Sequence, residues 1–252
     1  GRVAFTGGIN LADEYINRRV LHGHWKDTAV MVSGEAVRGF TLMFLRMWNV
    51  DSRRVDNYER YLGASFPVEA PGYILPYGDR PFDEELVGET VYMDILNRAR
   101  RYVHITTPYL IVDNELLTAL TYAAKRGVEV VLIVPAIPDK KYVYALNQTY
   151  YRDLIEAGVE LREYTPGFIH AKMFVSDDTT AVVGSINLDY RSLYLHFECA
   201  ALLYGCAAVA DVERDFQETR EKSRQITLED CRRRKLIWRL LGWILRPLAP
   251  LM

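Results

Sequence analysis

One stretch in the last third of the chain gathers the residue types that phosphoryl chemistry requires, namely His170, Lys172, Asp177, Gly184, Ser185 and Asn187. Side chains alternate along a strand, so His170 and Lys172 share one face. A titratable imidazole then lies beside a fixed positive charge. Gly184 permits a tight turn, and Ser185 and Asn187 can donate hydrogen bonds to an anionic oxygen. The set indicates phosphoryl transfer in which side chains supply the charge, the donors and the proton carrier.

A shorter version of this stretch lies at the start of the chain. Residues 7–11, Gly-Gly-Ile-Asn-Leu, align with residues 184–188, Gly-Ser-Ile-Asn-Leu, at an offset of 177 (184 minus 7). The strand-like residues 3–6 then align with residues 180–183. A repeat of this length indicates duplication of one unit, because solenoids need three or more short repeats. The chain is therefore predicted to hold two copies of one unit.

The alignment extends the candidate site into the first copy. It gives Gly8 and Asn10 the positions of Ser185 and Asn187, which favours a phosphate-cradling turn over an ordinary one. Each copy is followed by an acid on a strand-like segment, and these acids are Asp27 and Glu198.

The elements that must position these residues follow from the hydrophobic period. Strands are predicted at residues 1–6, 28–32, 73–76, 102–106, 128–134, 159–164, 169–176, 180–183 and 194–203. Helices are predicted at residues 12–18, 35–48, 82–101, 114–126, 140–157 and 207–224. Residues 128–134 are almost continuously apolar, as is typical of a strand buried on both faces of a sheet. The alternation of strands and helices predicts an α/β fold.

A polar stretch at residues 49–60, followed by prolines and a glycine, breaks the periodicity and predicts a linker. We therefore divide the chain into three parts. Residues 1–58 are predicted to be the end of a first, truncated repeat, residues 59–230 a complete second repeat, and residues 231–252 a basic amphipathic tail.

These residues resemble the phospholipase D superfamily, whose HxKxxxxD motif and following GSxN are matched from His170 to Asn187. The Gly-Gly-Ile-Asn stretch, residues 23–28 and the Thr107-Pro108-Tyr109 turn are similar to those of bacterial cardiolipin synthases. The resemblance covers nearly the whole chain. It implies the phospholipase D fold, a duplicated α/β unit with a mixed sheet flanked by helices, here with the first repeat truncated.

The resemblance also implies roles for the candidate residues. The expected catalytic residues are His170, Lys172, Asp177 and Glu198, with Glu198 fixing the tautomer of His170. The expected phosphate-binding residues are Ser185, Asn187, Gly8 and Asn10. Asp27 is expected to orient the histidine of the first copy.

Two points qualify this assignment. Asp177 lies five residues after Lys172, hence on the opposite strand face, so a structural role at the strand end is an equal alternative. For Glu198 the alternative interpretation is a solvated acidic side chain on a strand, without a role in the site. Members of the superfamily use two HxKxxxxD motifs, and the internal offset places the first His and Lys before Gly1. We therefore expect the 252-residue chain alone to be inactive.

The activity implied by the resemblance is a phosphatidyl transfer between two phosphatidylglycerol molecules through a phosphohistidine, which releases glycerol. A phospholipase D hydrolase, a phosphatidylserine synthase and a nuclease are the enzymatic alternatives, and an inactive membrane-bound scaffold is the non-enzymatic one. No cofactor is expected. No metal is expected either, because no Cys/His or carboxylate cluster with metal-ligand spacing accompanies the motif.

The charge distribution predicts the partners. The formal net charge is −2, and the segment from Cys231 onward carries six basic residues and no acid, so the remainder carries −2 minus 6, or −8. An acidic body disfavours nucleic acid, whose binding relies on many Lys and Arg contacts. The basic, Trp- and Leu-rich tail favours an anionic membrane surface. The resemblance implies that this surface is the cytoplasmic side of the bacterial cell membrane.

A helix in the tail would carry its polar residues on a narrow face. Lys235, Arg239, Gly242 and Arg246 share that face, and leucines and tryptophans cover the rest. This pattern predicts an interfacial helix, with a helix packed on the protein's own domain as the alternative.

Overall fold

The computed structural model describes residues 1–50, 57–63, 70–81 and 85–251. Much of the predicted linker and the predicted start of the helix at residues 82–101 lie outside these described residues. The division into repeats at residues 58 and 59 falls beside that gap and stays a prediction.

The strands, in chain order, are β1 Val3–Gly7, β2 His24–Lys26, β3 Ala29–Ser33, β4 Tyr73–Asp79, β5 Tyr102–Thr106, β6 Leu110–Ile111, β7 Glu129–Pro135, β8 Glu160–Tyr164, β9 Gly167–Ile169, β10 Met173–Ser176, β11 Thr180–Gly184, β12 Leu188–Asp189, β13 Glu198–Tyr204 and β14 Ser223–Gln225. The α-helices are α1 Val37–Trp48, α2 Val87–Arg98, α3 Asn114–Lys125, α4 Lys141–Glu156, α5 Ala208–Glu221, α6 Leu228–Arg233 and α7 Leu236–Leu245. Short 3-10 helices lie at Asp13–Ile16, Tyr58–Tyr61 and Arg246–Leu251, and one π-helical turn lies at Arg191–Leu195.

A mixed sheet forms the centre of the described chain. Its eight strands run in the order β14, β8, β7, β5, β10, β11, β13, β4. The β5, β7 and β8 strands are parallel, as the intervening helices α3 and α4 require, and the remaining neighbours are antiparallel. The predicted α/β fold with a mixed sheet flanked by helices is confirmed.

Hydrophobic cores fill both faces of this sheet. Helices α2, α3 and α4 cover one face, and helices α1 and α5 cover the other. Strand β7 contributes to both, because Val130 and Leu132 enter the first core while Val131 and Ile133 enter the second. The prediction that this strand is buried on both faces is thereby confirmed.

The segments of the first copy pack against the second. Strand β1 pairs with β3 in a small antiparallel sheet, and α1 packs on the edge strand β4. Strand β2 pairs in parallel with β9, which precedes the candidate histidine. This last pairing joins segments more than 140 residues apart in sequence and creates the candidate site.

Two predicted strands are shorter than expected. The strand predicted at residues 169–176 divides into β9 and β10, because the chain leaves its pairing with β2 at Ile169 and joins β5 and β11 from Met173. The strand predicted at residues 194–203 begins only at Glu198, because the residues before it form the π-helical turn Arg191–Leu195.

Candidate functional site

The parallel pairing of β2 with β9 places Asp27 beside His170. Lys26 lies opposite Ile169 in the register, and the His170 N–H donates to the Lys26 carbonyl oxygen at 2.7 Å. One residue further, Asp27 Oδ2 lies 2.8 Å from His170 Nδ1. The other carboxylate oxygen of Asp27 accepts from the Thr28 N–H at 2.9 Å. Asp27 therefore fixes the imidazole through Nδ1.

This contact corrects two expectations about the acids. Asp27 was expected to orient the histidine of the first copy, yet its carboxylate holds His170. Glu198 was expected to hold His170, yet it accepts hydrogen bonds from Ser185 and Ser192, and its ion pair, at 3.7 Å, is with His196. The reason is that strand pairing between the copies, and not proximity along one copy, decides which acid reaches the imidazole.

Lys172 is the second member of the site and is almost completely buried, with 3% of its surface exposed. Its Nζ lies 2.7 and 2.8 Å from the two ring nitrogens of His170 and donates to the His170 carbonyl oxygen at 2.6 Å. The prediction that these two side chains lie together is confirmed, although residues 170–172 lie between two strands. Burial lowers the pKa of Lys172 to about 8, against the attraction of nearby carboxylates such as Asp27 and Glu198.

The imidazole of His170 experiences opposing effects. Burial lowers its pKa most strongly, the hydrogen bond to Asp27 raises it, and the positive charge of Lys172 lowers it, with a net lowering. At neutral pH the free site therefore favours a neutral imidazole beside a charged lysine. An anionic phosphate at Lys172 would favour the protonated form of both groups.

An aromatic wall surrounds the imidazole on the side of the first copy. The ring centroids of Tyr15, Trp25 and Phe168 lie 5.3, 5.5 and 5.9 Å from that of His170. Asn10 Nδ2 donates to the Tyr15 hydroxyl at 2.8 Å, so this phosphate-binding candidate also belongs to the wall. These rings cover part of the imidazole and contribute to its burial.

Gly8 lies in close contact with both members of the Asp27 and His170 pair. A Cβ at this position would collide with Asp27 Oδ1 and would come within 2.9 Å of the His170 carbonyl oxygen. The backbone N–H of Gly8 donates to the Thr28 carbonyl oxygen at 3.1 Å. The first-copy glycine thus permits the backbone approach that brings the two copies together at the site.

Ser185 and Glu198 form a second polar pair beyond Lys172. The Ser185 hydroxyl donates to Glu198 Oε2 and accepts from the Cys199 N–H at 3.0 Å. Burial raises the pKa of Glu198 to about 7, while hydrogen bonds from Ser185 and Ser192 oppose the rise. Ser185 therefore contacts Glu198 in this structure, and its role as a phosphate ligand stays a prediction.

Asn187 is held from the loop that follows it. Its Nδ2 donates to the Ser192 hydroxyl at 2.9 Å, and its buried Oδ1 has no hydrogen-bond partner among the described residues. Ser192, on the π-helical turn, was not singled out from the sequence because nothing in its spacing links it to the motif. It positions the Asn187 amide and contacts Glu198 as well.

The structure favours the structural alternative for Asp177. Its carboxylate accepts from the backbone N–H groups of Arg100, Arg101 and Tyr102 at 2.8, 2.9 and 3.0 Å, where β5 begins. Burial opposes ionisation, but these three donors are stronger and lower the pKa of Asp177. These contacts support a structural role for Asp177 at the turn between β10 and β11, and its catalytic role stays a prediction.

We expect Asp177→Asn to lower the free energy of unfolding by about 1 to 3 kcal/mol, because an amide cannot accept from all three backbone donors. Asn tolerates the positive φ of this position, 53°, so backbone strain does not contribute. The folded-state pKa is lowered, so this stability is present above the unfolded pKa and is lost as pH falls through the folded one.

Urea unfolding of both proteins at neutral and at acid pH tests this expectation, with the neighbouring Asp178→Asn as the matched control. The gap between wild type and Asp177→Asn should close at acid pH, and Asp178→Asn should cost less. A loss of catalytic rate in Asp177→Asn, without a loss of stability, would restore the catalytic assignment.

The described residues lack two further features. They contain no group of three or more His, Cys, Asp and Glu side chains placed to hold a metal ion. None of the described helices has the length and apolar character needed to cross a bilayer.

Comparison with known sequences places the site in a family. A family described as "Cardiolipin synthase, PLD-like domain" matches residues 92–220, which is 129 of 252 residues. An uncharacterised protein of Streptococcus mutans is 52% identical across all of this chain and 54% of its own length. The cardiolipin synthases of Halalkalibacterium halodurans and Geobacillus kaustophilus are 35% identical across all of this chain and 50% of theirs. The chain spans about half the length of the curated relatives it matches.

Solved structures agree on the fold. Phosphatidylserine synthase from Haemophilus influenzae superposes with a TM-score of 0.72 over 99% of this chain and 67% of that chain, at 14% identity. Nuc of Salmonella typhimurium, a phospholipase D family member, superposes with a TM-score of 0.50 over 60% of this chain and 98% of its own, at 18% identity. These likenesses establish the fold alone. Because the matched family covers just over half of the chain and includes His170, Lys172 and Asn187, the chain belongs to the cardiolipin synthase, PLD-like domain family of the phospholipase D superfamily.

Proposed function

We propose that the intact protein is a phosphatidyltransferase that converts two phosphatidylglycerol molecules to cardiolipin and glycerol. The observation that carries this proposal is the pairing of His170 with Asp27 and Lys172, which provides an oriented imidazole beside a buried positive charge. The family match and the named cardiolipin synthases among its relatives support the substrate class.

In the proposed first step, a histidine of the first copy attacks the phosphorus of one phosphatidylglycerol. The bond from phosphorus to the glycerol oxygen breaks, and His170 Nε2 gives its proton to that oxygen. In the second step, His170 removes the proton of an acceptor hydroxyl, which attacks the phosphohistidine and releases the first histidine. Covalent catalysis of this kind divides one displacement into two easier ones, and His170 acts first as acid and then as base.

Other residues are assigned to the phosphate group and to its partner histidine. Lys172 neutralises the phosphate oxygens, and Ser185, Asn187, Gly8 and Asn10 bind them through donors that are rearranged from their contacts in the free protein. Because Asp27 of the first copy orients the second-copy histidine, internal symmetry assigns Glu198 to the histidine of the first copy. This assignment replaces the expected role of Glu198 at His170.

The competing functions differ in the acceptor or in the substrate. A hydrolase would use water, a phosphatidylserine synthase would use serine, and a nuclease would cleave a nucleic acid backbone. The acidic body of −8 disfavours the nuclease, because an acidic surface repels a polyanion. An inactive scaffold would retain the fold without turnover.

The test is an assay of the intact protein with phosphatidylglycerol labelled in its glycerol headgroup, run in the presence of EDTA. We expect labelled cardiolipin and free glycerol in equal amounts, with no loss from the chelator. We expect no turnover from the 252-residue chain alone, because it contains one HxKxxxxD motif and the reaction needs two histidines. Phosphatidic acid as the main product would favour the hydrolase, and activity that requires Mg²⁺ would contradict the metal-free site.

A further inference from the structure

Helix α7 packs on the domain through its smallest residue. Gly242 is buried against α4, and a Cβ at this position would collide with the Ala145 carbonyl oxygen and come within 2.8 Å of Thr149 Cγ2. Arg246 follows on the same side, with its guanidinium 4.8 Å from the Tyr150 ring centroid. The face predicted to be the solvated, basic one therefore contains the contact with α4.

The opposite face of α7 is apolar and exposed. Its side chains are 55 to 75% exposed, and they are Leu236, Ile237, Leu240, Trp243 and Ile244. The apolar surface continues into the following 3-10 helix, where Leu248 and Leu251 are 46% and 77% exposed. Ordinary protein surfaces carry isolated exposed apolar residues, whereas a contiguous apolar face of this kind marks an interaction surface.

The border of this face is strongly basic. A cleft of about 370 Å³ between α4 and α7 is lined by Arg152, Arg232, Arg234, Arg239, Arg246, Trp238 and Trp243, among others. Asp153 and Glu156 are the acids in its lining. Trp243 belongs both to the cleft and to the exposed apolar face, so the two features form one surface.

We propose that this surface, the apolar face of α7 together with the arginine-lined cleft, docks the protein on an anionic phospholipid bilayer. The leucines and tryptophans would enter the interfacial region, and the arginines would contact lipid phosphates. The rest of the protein carries a net charge of −8, so an anionic membrane attracts the tail and repels the other faces. The tail thereby sets the orientation of the protein on the membrane.

A second copy of the chain is a poorer occupant of this surface. An isologous contact would bring the same residues of both copies together. The arginines at the border would then face one another, and the two acids of the lining already pair with Arg152 and Arg246 of their own copy. Lipid phosphates would complement the remaining arginines. The proposal concerns a surface separate from the candidate site and does not depend on the transferase reaction.

The test is co-sedimentation of the 252-residue chain with two kinds of vesicle, phosphatidylcholine alone and phosphatidylcholine mixed with phosphatidylinositol, an anionic lipid outside the proposed reaction. We expect binding to the mixed vesicles, weakened by salt, and little binding to phosphatidylcholine. The double variant Leu240→Glu/Trp243→Glu should bind at least about 100-fold more weakly, because two apolar side chains no longer leave water.

Two further variants make the test specific. Trp48→Glu changes a tryptophan on α1 that is 73% exposed, against 74% for Trp243, and should bind as wild type does. Arg232→Gln/Arg239→Gln should weaken binding to the anionic vesicles about 25-fold, at roughly fivefold per charge. Binding to phosphatidylcholine alone should not change in this variant.

Either of two results would overturn the proposal: equal binding to both kinds of vesicle, or equal losses of vesicle binding from Trp48→Glu and Leu240→Glu/Trp243→Glu. Dimers of the wild type that the Leu240→Glu/Trp243→Glu variant disrupts, with vesicle binding retained, would identify a second copy as the occupant. Should the glutamate variant fold poorly, quenching by brominated lipid provides an independent measurement. Wild-type fluorescence should be quenched, and Trp243→Phe should lose most of the quenched emission.

Discussion

Replacing His170 with alanine in the intact protein is expected to abolish phosphatidyl transfer, with a loss of at least about 10⁴ in rate. The imidazole carries the proton in both proposed steps, and acid-base groups contribute about 10² to 10⁴ in each step in which they act. Transfer of labelled phosphatidylglycerol under saturating substrate measures the loss.

His104→Ala provides the matched control for this experiment. The His104 side chain is more deeply buried than that of His170, at 4% against 14% exposed. Its ring stacks against Tyr102 and Phe216, and its Nδ1 lies 2.9 Å from Glu213. Its removal should lower the thermal midpoint and leave the rate of the folded protein close to wild type. His170→Ala with activity within tenfold of wild type would refute the site.

Asp27→Asn is expected to produce the second-largest loss, about 10³ to 10⁴ in rate. The carboxylate fixes the imidazole at Nδ1. In the serine protease triad, the equivalent replacement of Asp by Asn lowers kcat by about 10⁴. Asn can present its amide nitrogen to Nδ1 and so favour the wrong tautomer. The test compares kcat and KM for the two proteins.

A pH profile separates positioning from a general loss of structure. Asp27 raises the pKa of His170, so its removal should lower that pKa further, and the limb that reports protonated His170 should move to lower pH. Asp215→Asn is the matched control, because it removes the ion-pair partner of Lys26, the residue before Asp27. It should leave both the rate and the pH profile unchanged. Equal losses from the two substitutions would mean that Asp27 acts only through the fold.

The sequence predicted the parts of the molecule that local patterns determine. Three features depend on residues close together in the chain: the apolar run of β7, the α/β alternation and the proximity of His170 and Lys172. The structure contains all three, although the two side chains lie between strands and not on one. The pairing of Asp27 with His170 could not be found in this way. It depends on β2 and β9, two strands of three residues each, too short to give a periodic signal.

The face of α7 that contacts the protein could not be predicted from the sequence pattern either. The helical period correctly separated its polar stripe from its apolar residues, but the period alone does not determine which face meets the protein. Gly242 decides this, because only a residue without a side chain allows the close approach to Ala145. A glycine within a basic stripe is therefore a sign of helix packing that charge patterns conceal.

The central claim is that His170, oriented by Asp27, is the proton carrier and that the nucleophile is another histidine. The most direct test uses the His170→Ala variant of the intact protein with a phosphatidyl ester of p-nitrophenol, whose leaving group needs no proton. We predict a burst of about one equivalent of nitrophenolate per active site followed by slow turnover, because only the second step then lacks its base. Absence of any burst, with the wild type active on the same ester, would identify His170 as the nucleophile and contradict the account.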